Sequence, residues 1–306
     1  TTAINMAEYM QKFEPWVQDG YEVIHVALGS ALSASYRNAV LAAEELGNVY
    51  IIDSCSLSTG FGNIVIEAAK RIAEGKLSAM LTVEEGGCCK GSLGVLRRMY
   101  ELGVRMMTLT WNHENELASP NVVPGNGPIW PCMPNTETGL KEKGFEFLAE
   151  MERLHIIADV SHLSDKGFWD IAEHSTRPFA ASHSNCRALA PHCRNLTDEM
   201  IRVMAEKGGL VGLNYCAGFL DDQPSPDLCR STTALMAKHA AHFKQVGGIE
   251  IIGLGSDFDG IGGKLELSDC SKMPLLADAL RKEGFTEDEV EAIFFRNAQR
   301  FFENNL

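Results

Sequence analysis

Short apolar runs rich in β-branched residues alternate with amphipathic stretches of helical period from one end of this chain to the other. The runs are EVIHVAL, NVYIID, AMLTVEE, VRMMTLT, IIADVSH, PFAASHS, LVGLNY and IEIIGLGSDFDG. Between them lie stretches such as SYRNAVLAAEEL, LGVLRRMYELG, KGFEFLAEMERL, TDEMIRVMAEKG and TALMAKHAAHFKQVG. Strands separated by helices pair in parallel, so the pattern is that of repeated βαβ units. Eight units in 306 residues is the arithmetic of an α/β chain of (β/α)8 TIM-barrel type, whose active site is assembled at the C-terminal ends of the strands.

The strand ends therefore deserve the closest reading. Glu85 closes AMLTVEE, His162 closes DVSH, His183 closes AASH and Asp257 lies in GLGSDFDG. Two imidazoles and a carboxylate are a donor set for a catalytic zinc, which leaves one position for a water of lowered pKa. Asp257 is then the candidate base or proton shuttle, with Asp259 beside it. A single strand-end histidine is more often structural; four metal-compatible residues at four strand ends are what point to a metal site. Arg194, in CRNLTDEM, fits either a bidentate clamp for a substrate carboxylate or a helix-flanking salt bridge. Asn112, His113 and Asn115, in TWNHEN, fit either substrate binding or a polar loop. Residues 118–139, ASPNVVPGNGPIWPCMPNTETG, form an irregular stretch long enough to be a lid or a surface excursion.

Composition excludes some partners. A formal charge of −14 with no basic cluster opposes binding to nucleic acid or to an anionic membrane surface. No apolar run approaches the roughly 20 residues of a spanning helix. Nine cysteines, an odd count with no Cys-x-x-Cys pair and no apolar leader, lead us to expect reduced thiols in a cytoplasmic protein. The chain opens on Thr1 rather than Met, as a fragment or processed product would.

From about Ser78 onward the chain resembles the membrane (renal) dipeptidase family. The matching stretches are AMLTVEEGG, LGVRMMTLTWNHENELASPN, the run from GLKEKGFEF to DVSHLSDKGFWDI, PFAASHSNCRAL, RNLTDEMI, GGLVGLNY and GLGSDFDG. The resemblance implies a (β/α)8 barrel with two zinc ions that hydrolyses dipeptides. By position it makes Glu85 the carboxylate bridging both metals, His162 and His183 ligands of the second metal, Asp257 the acid/base and Arg194 the carboxylate clamp. The family's first metal is held by a His-x-Asp pair ending the first strand, and no His-x-Asp occurs in this chain. One zinc site is therefore expected, with the second short of ligands. Trp111 stands where many members carry a histidine, leaving His113 as a candidate stand-in.

The first 77 or so residues resemble instead the N-terminal domain of the DegV family of fatty-acid-binding proteins. Thr1, Thr2, Gly29, Ser30, Leu32, Ser33, Tyr36, Asp53, Ser54, Gly60 and Gly62 carry that likeness. It implies a lipid carboxylate held near Thr2, Ser30 and Ser33. The expected organisation is a DegV-like α/β segment over 1–77 and a dipeptidase-like barrel over 78–306 that lacks its first two strand–helix units. Either the front units complete the barrel or they fold separately. The expected function is zinc-dependent dipeptide hydrolysis, weakened or lost with the His-x-Asp ligands. The alternatives are a fatty-acid-binding protein and an inactive metal-binding fusion, and a homodimer is the oligomer considered.

Overall fold

The computed structural model of the chain describes residues 5–20, 23–27, 35–53, 80–122, 132–258 and 260–306. Backbone packing divides the chain into two units, Thr1–Leu81 and Thr82–Leu306.

The first unit opens with α1 (Met6–Gln18). Its N-terminus is fixed by a capping box, in which the Asn5 side chain accepts from the Glu8 amide at 3.0 Å and Glu8 accepts from the Asn5 amide at 2.9 Å. Next come β1 (Val23–Ala27), α2 (Ser35–Leu46) and β2 (Val49–Asp53). The two strands pair in parallel, with Val23 opposite Val49 and Ala27 opposite Asp53. Tyr9 and Phe13 of α1 bury against Ala39 and Ala42 of α2 and against Val49. The residues expected to hold a lipid, Thr2, Ser30 and Ser33, lie outside the described residues.

The second unit is built on a six-stranded sheet, β3 (Leu81–Val83), β4 (Val104–Thr108), β5 (Ile157–Asp159), β6 (Ala180–Ala181), β7 (Leu210–Leu213) and β8 (Ile252–Leu254). Spatial order follows chain order, and each pair from β4 to β8 is parallel. The helices that return the chain are α3 (Leu93–Glu101), α4 (Glu142–Arg153), α5 (Asp165–His174), α6 (Asp198–Glu206) and α8 (Thr233–Gly247), with a short α7 (Ala217–Leu220) after β7. Their starts are written in the sequence. Ser92, Ser164, Thr197 and Thr232 each accept a backbone amide three residues on, satisfying a donor the first turn leaves unpaired. The C-terminal part is helical, with α9 (Met273–Glu283), α10 (Glu287–Glu291), one π turn and α11 (Asn297–Asn305).

Strand and helix faces meet in one core that includes Leu96, Met107, Phe147, Met151, Ile171, Phe179, Ile201, Val211, Met236 and Phe243. Each fully buried side chain of this size contributes about 1.5–3 kcal/mol. Near the strand ends the backbones approach too closely for side chains. A Cβ on Gly212 would sit 2.0 Å from the Ser182 carbonyl oxygen, and one on Gly255 would sit 1.9 Å from it. The glycines in LVGLNY and IIGLGSD therefore let β7 and β8 close around the β6 turn that carries His183. Among the described residues no helix is long and apolar enough to cross a membrane.

The 118–139 stretch is fastened at both described ends. Ala118 and Pro120 bridge Leu140 and Leu163, and the Asn121 amide donates to the His162 carbonyl at 2.9 Å. The expectation of reduced thiols needs correction here, because Cys132 forms a disulfide with Cys193. Their Cα atoms are 5.3 Å apart, inside the span a disulfide bridges. Cysteine counting misses the pair because the partners are 61 residues apart and meet only when the stretch folds back beside the segment after β6. The other described cysteines, at 88, 89, 186, 216, 229 and 270, are free.

Candidate metal centre

The predicted residues lie at strand ends, and three of them have an unusual backbone. Glu85, His162 and Asp257 have φ of 96°, 70° and 58°. Left-handed geometry costs a residue with a Cβ about 1–3 kcal/mol and persists where the surroundings enforce it, often at functional sites. These tight turns stop each strand and swing its last side chain across the sheet end.

His162 and His183 come together with their Nε2 atoms 2.9 Å apart. The carboxylate beside them belongs to Glu84 and not to Glu85. Glu84 Oε1 lies 3.0 Å from His162 Nε2 and 3.4 Å from His183 Nε2. Glu85 is taken up by the chain itself: its carboxylate accepts from the amides of Gly87 (2.9 Å) and Trp111 (2.8 Å) and from Asn115 Nδ2 (2.6 Å). β3 ends at Val83, and Glu84, in the bend that follows, lines a cavity of about 150 Å³ together with Thr82, Val83, Asp159, Ser182, His183 and Asp257. Two larger hollows, of about 480 Å³ beside His192 and about 660 Å³ beside Arg230, gather no comparable donor set.

Hydrogen bonds on the far side of each ring decide what the near side offers. His162 Nδ1 lies 2.8 Å from Asn112 Oδ1, an atom that can only accept, so the proton is on Nδ1. His183 Nδ1 lies 2.7 Å from Ser182 Oγ, whose own proton goes to the Asp159 carboxylate. Ser182 must then accept from His183, placing that proton on Nδ1 too. Both Nε2 atoms are then acceptors, facing each other and a carboxylate oxygen of Glu84. Burial, and secondarily the Arg194 cation, hold both imidazoles neutral, well below the usual 6.5. Burial also raises the Glu84 pKa, with Arg194 opposing it. Three converging Lewis bases repel one another unless a cation is shared among them. The donor set fits a divalent metal of zinc type.

Arg194 is 4% exposed, and its Nε finds no acceptor. Its guanidinium lies 3.5 Å from the His183 carbonyl oxygen through Nη2, and its carbon 5.4 Å from the ring centre of Phe219. Burial pulls its pKa down to about 10, against the attraction of Asp159, Asp257 and Glu84. Asp257 accepts from Asn214 Nδ2 at 3.2 Å, and Asn214 is itself held by two bonds to Asn185. Asn112 sits behind His162, while His113 is exposed and stacks edge-on against Trp111 at 5.4 Å between centroids. Asn115 is used inside its own loop, donating to the Leu109 carbonyl and accepting from the Leu117 and Ala118 amides. Asp259 lies outside the described residues. Sequence reasoning missed Glu84, Ser182 and Asn214, whose roles exist only through their neighbours.

A buried His162, a half-buried His183 and an exposed Glu84 converging at the strand ends of a parallel α/β sheet make the kind of donor set that metal-dependent hydrolases use. Residues 61–305 match the family described as membrane dipeptidase (peptidase family M19). The chain belongs to that family, whose members are metal-dependent peptide hydrolases. Residues 1–84 match a second family, described as uncharacterised DegV-family protein. An uncharacterized protein of the pqqA 5′ region in Klebsiella pneumoniae is 34% identical over 250 residues, spanning 81% of this chain and 90% of that one. An uncharacterized dipeptidase of Schizosaccharomyces pombe is 35% identical over 229 residues, which cover 74% of this chain but 52% of the yeast protein. Among solved structures, a dipeptidase described as a metallopeptidase of the same family is similar at TM-score 0.68 and 29% identity, covering 78% of this chain and 67% of that one. A metallopeptidase from Rhodobacter sphaeroides, solved with a phosphinate mimic of L-Ala-D-Ala, has the same fold at TM-score 0.66 and 23% identity, over 100% of this chain and 78% of that one. These neighbours place the parallel sheet in the TIM-barrel type of α/β fold.

Proposed function

We propose that this chain hydrolyses dipeptides with a single zinc ion held by Glu84, His162 and His183. The observation that carries the reading is the pair of Nε2 atoms 2.9 Å apart beside the Glu84 carboxylate, each ring with its Nδ1 within hydrogen-bond distance of an oxygen. A zinc ion bound there would supply Lewis acidity toward a peptide carbonyl and toward water. Asp257, across the same cavity, would take a proton and pass it to the departing amine. Arg194 would pair with the free carboxylate of the substrate, giving its unsatisfied guanidinium an acceptor. Asn112 and Asn214 would keep His162 and Asp257 in position, and His113 would stand at the exposed edge of the site. With no His-x-Asp pair in the chain, one metal is bound, and turnover is slow beside that of a two-metal enzyme. The cytoplasm suits the other, reduced cysteines.

Metal analysis joined to an alanyl-dipeptide assay tests this directly. We expect about one zinc per chain in the wild type, none in His162→Ala/His183→Ala, strong loss in Glu84→Gln, and retention in Glu85→Gln. Dipeptide hydrolysis should track metal content. A wild-type chain without metal, or with metal indifferent to Glu84, would sink the proposal.

A further inference from the structure

The sequence places a serine before each histidine, Ser161-His162 and Ser182-His183, and an aspartate at the start of DVSH. None of these three residues holds the metal, and the structure links them crosswise. Asp159 Oδ1 accepts the Ser161 amide at 3.0 Å and the Ser182 amide at 2.9 Å. Asp159 Oδ2 accepts the Ser182 hydroxyl, and that hydroxyl accepts from His183 Nδ1 at 2.7 Å. Ser161 Oγ accepts the His183 amide at 3.0 Å. One buried carboxylate thus ties the ends of β5 and β6 together and reaches the imidazole of His183 through a single hydroxyl.

We infer that Asp159, acting through Ser182, is a positioning residue that sets the tautomer of His183 and thereby presents its Nε2 lone pair to the metal. The inference rests on the metal-binding reading above. Direction is what matters in this chain of hydrogen bonds. Burial raises the Asp159 pKa, against the hydrogen bonds from Ser182 and Ser161; as a carboxylate it can only accept, so the serine proton points to Asp159, the serine accepts from Nδ1, and Nε2 is left without a proton. His162 gets the same outcome from the amide oxygen of Asn112. The two ligands therefore reach one state by different routes, and only the His183 route passes a negative charge toward the ring.

Asp159→Asn makes the inference testable, because the polarity of the chain reverses. The asparagine oxygen can keep both backbone amides, so its NH2 group faces Ser182 and donates. The serine proton then turns to His183 Nδ1, and the ring proton moves to Nε2, where the metal has to bind. An analogous carboxylate-to-amide change in a catalytic triad acts through the wrong tautomer.

Zinc affinity, measured by competition with a chromophoric chelator, should fall roughly 10- to 100-fold in Asp159→Asn and in Ser182→Ala. Ser182→Thr, which keeps the hydroxyl, should bind within about threefold of wild type, on the scale where outer partners shift affinity tenfold or more. In metal-free protein labelled with 15N-histidine, the His183 signal should show an Nδ1 proton in the wild type and an Nε2 proton in Asp159→Asn. If Asp159→Asn does not fold, Ser182→Ala and Ser182→Thr carry the test alone. Wild-type zinc affinity in Ser182→Ala, or a loss in Ser182→Thr as large as in Ser182→Ala, overturns the inference. His183→Ala serves as the reference: if it binds zinc as tightly as wild type, the metal-site reading itself has failed, which the serine variants cannot mimic.

Discussion

Replacing Arg194 by methionine should leave the protein as stable as before, or more so, while removing most of its activity. The guanidinium is buried, forms no ion pair within 4.0 Å among the described residues, and leaves Nε without an acceptor. Burial lowers its pKa from the usual guanidinium range to about 10. At 1.36 kcal/mol for each pH unit, the environment disfavours the charge by about 3 kcal/mol. Methionine fills similar space without that penalty, so Arg194→Met should unfold at equal or higher urea, with a gain of up to about 3 kcal/mol. Substrate binding has the opposite sign. Removing one partner of a buried charged pair costs about 2–5 kcal/mol, so kcat/KM for a dipeptide should fall roughly 30- to 4,000-fold. A dipeptide amide, which lacks the carboxylate, should be cleaved equally slowly by both proteins. Urea unfolding and steady-state kinetics on the zinc-loaded pair decide the matter. A variant that loses more than about 2 kcal/mol of stability while keeping its kcat/KM would refute the reasoning and make Arg194 a structural residue.

Acid should destabilise the fold earlier than carboxylate titration alone would. His192 and His239 are buried neutral with pKa values of about 4, burial being the first cause. A lowered pKa means that the unfolded chain takes up protons first, so their contribution is intact above about pH 6.5 and is lost as the pH falls toward 4. Each should remove about 2 kcal/mol by pH 5, read as a fall in urea midpoint from pH 7 to pH 5 that is shallower in His239→Gln; stability that is flat over this range would contradict the account. Opening the Cys132–Cys193 link, which spans 61 residues, should cost up to about 4 kcal/mol through the entropy of the unfolded chain. Cys132→Ser should show this by urea unfolding without reductant, and alkylation of both thiols in denatured, unreduced wild type would refute the disulfide.

Much of the scaffold was legible because its signals are local. Apolar runs of strand length, capping serines and threonines, and acidic first turns act within a few residues, so eight strands could be read from the chain, and Thr197 caps α6 as LTDE indicates. His162, His183 and Asp257 lie just past strand ends, as read from the sequence, for a related reason: in parallel α/β units, strand ends converge whatever the loops do. The acidic partner was not. Glu84 and Glu85 are adjacent and chemically alike, and only the turn after β3, in which the amides of Gly87 and Trp111 take up Glu85, decides which carboxylate meets the histidines.

The sequence by itself determined the order of the elements, the parallel sense of the sheet and the histidines at its strand ends, since each depends on neighbours along the chain. The tertiary structure alone decided the choice of Glu84, the Cys132–Cys193 pairing, the isolation of Arg194 and the route from Asp159 through Ser182 to His183. Each of these joins groups far apart in sequence or selects between equivalent neighbours. Hydrogen-bond direction and burial are set by what surrounds an atom in space, and no spacing along the chain encodes that.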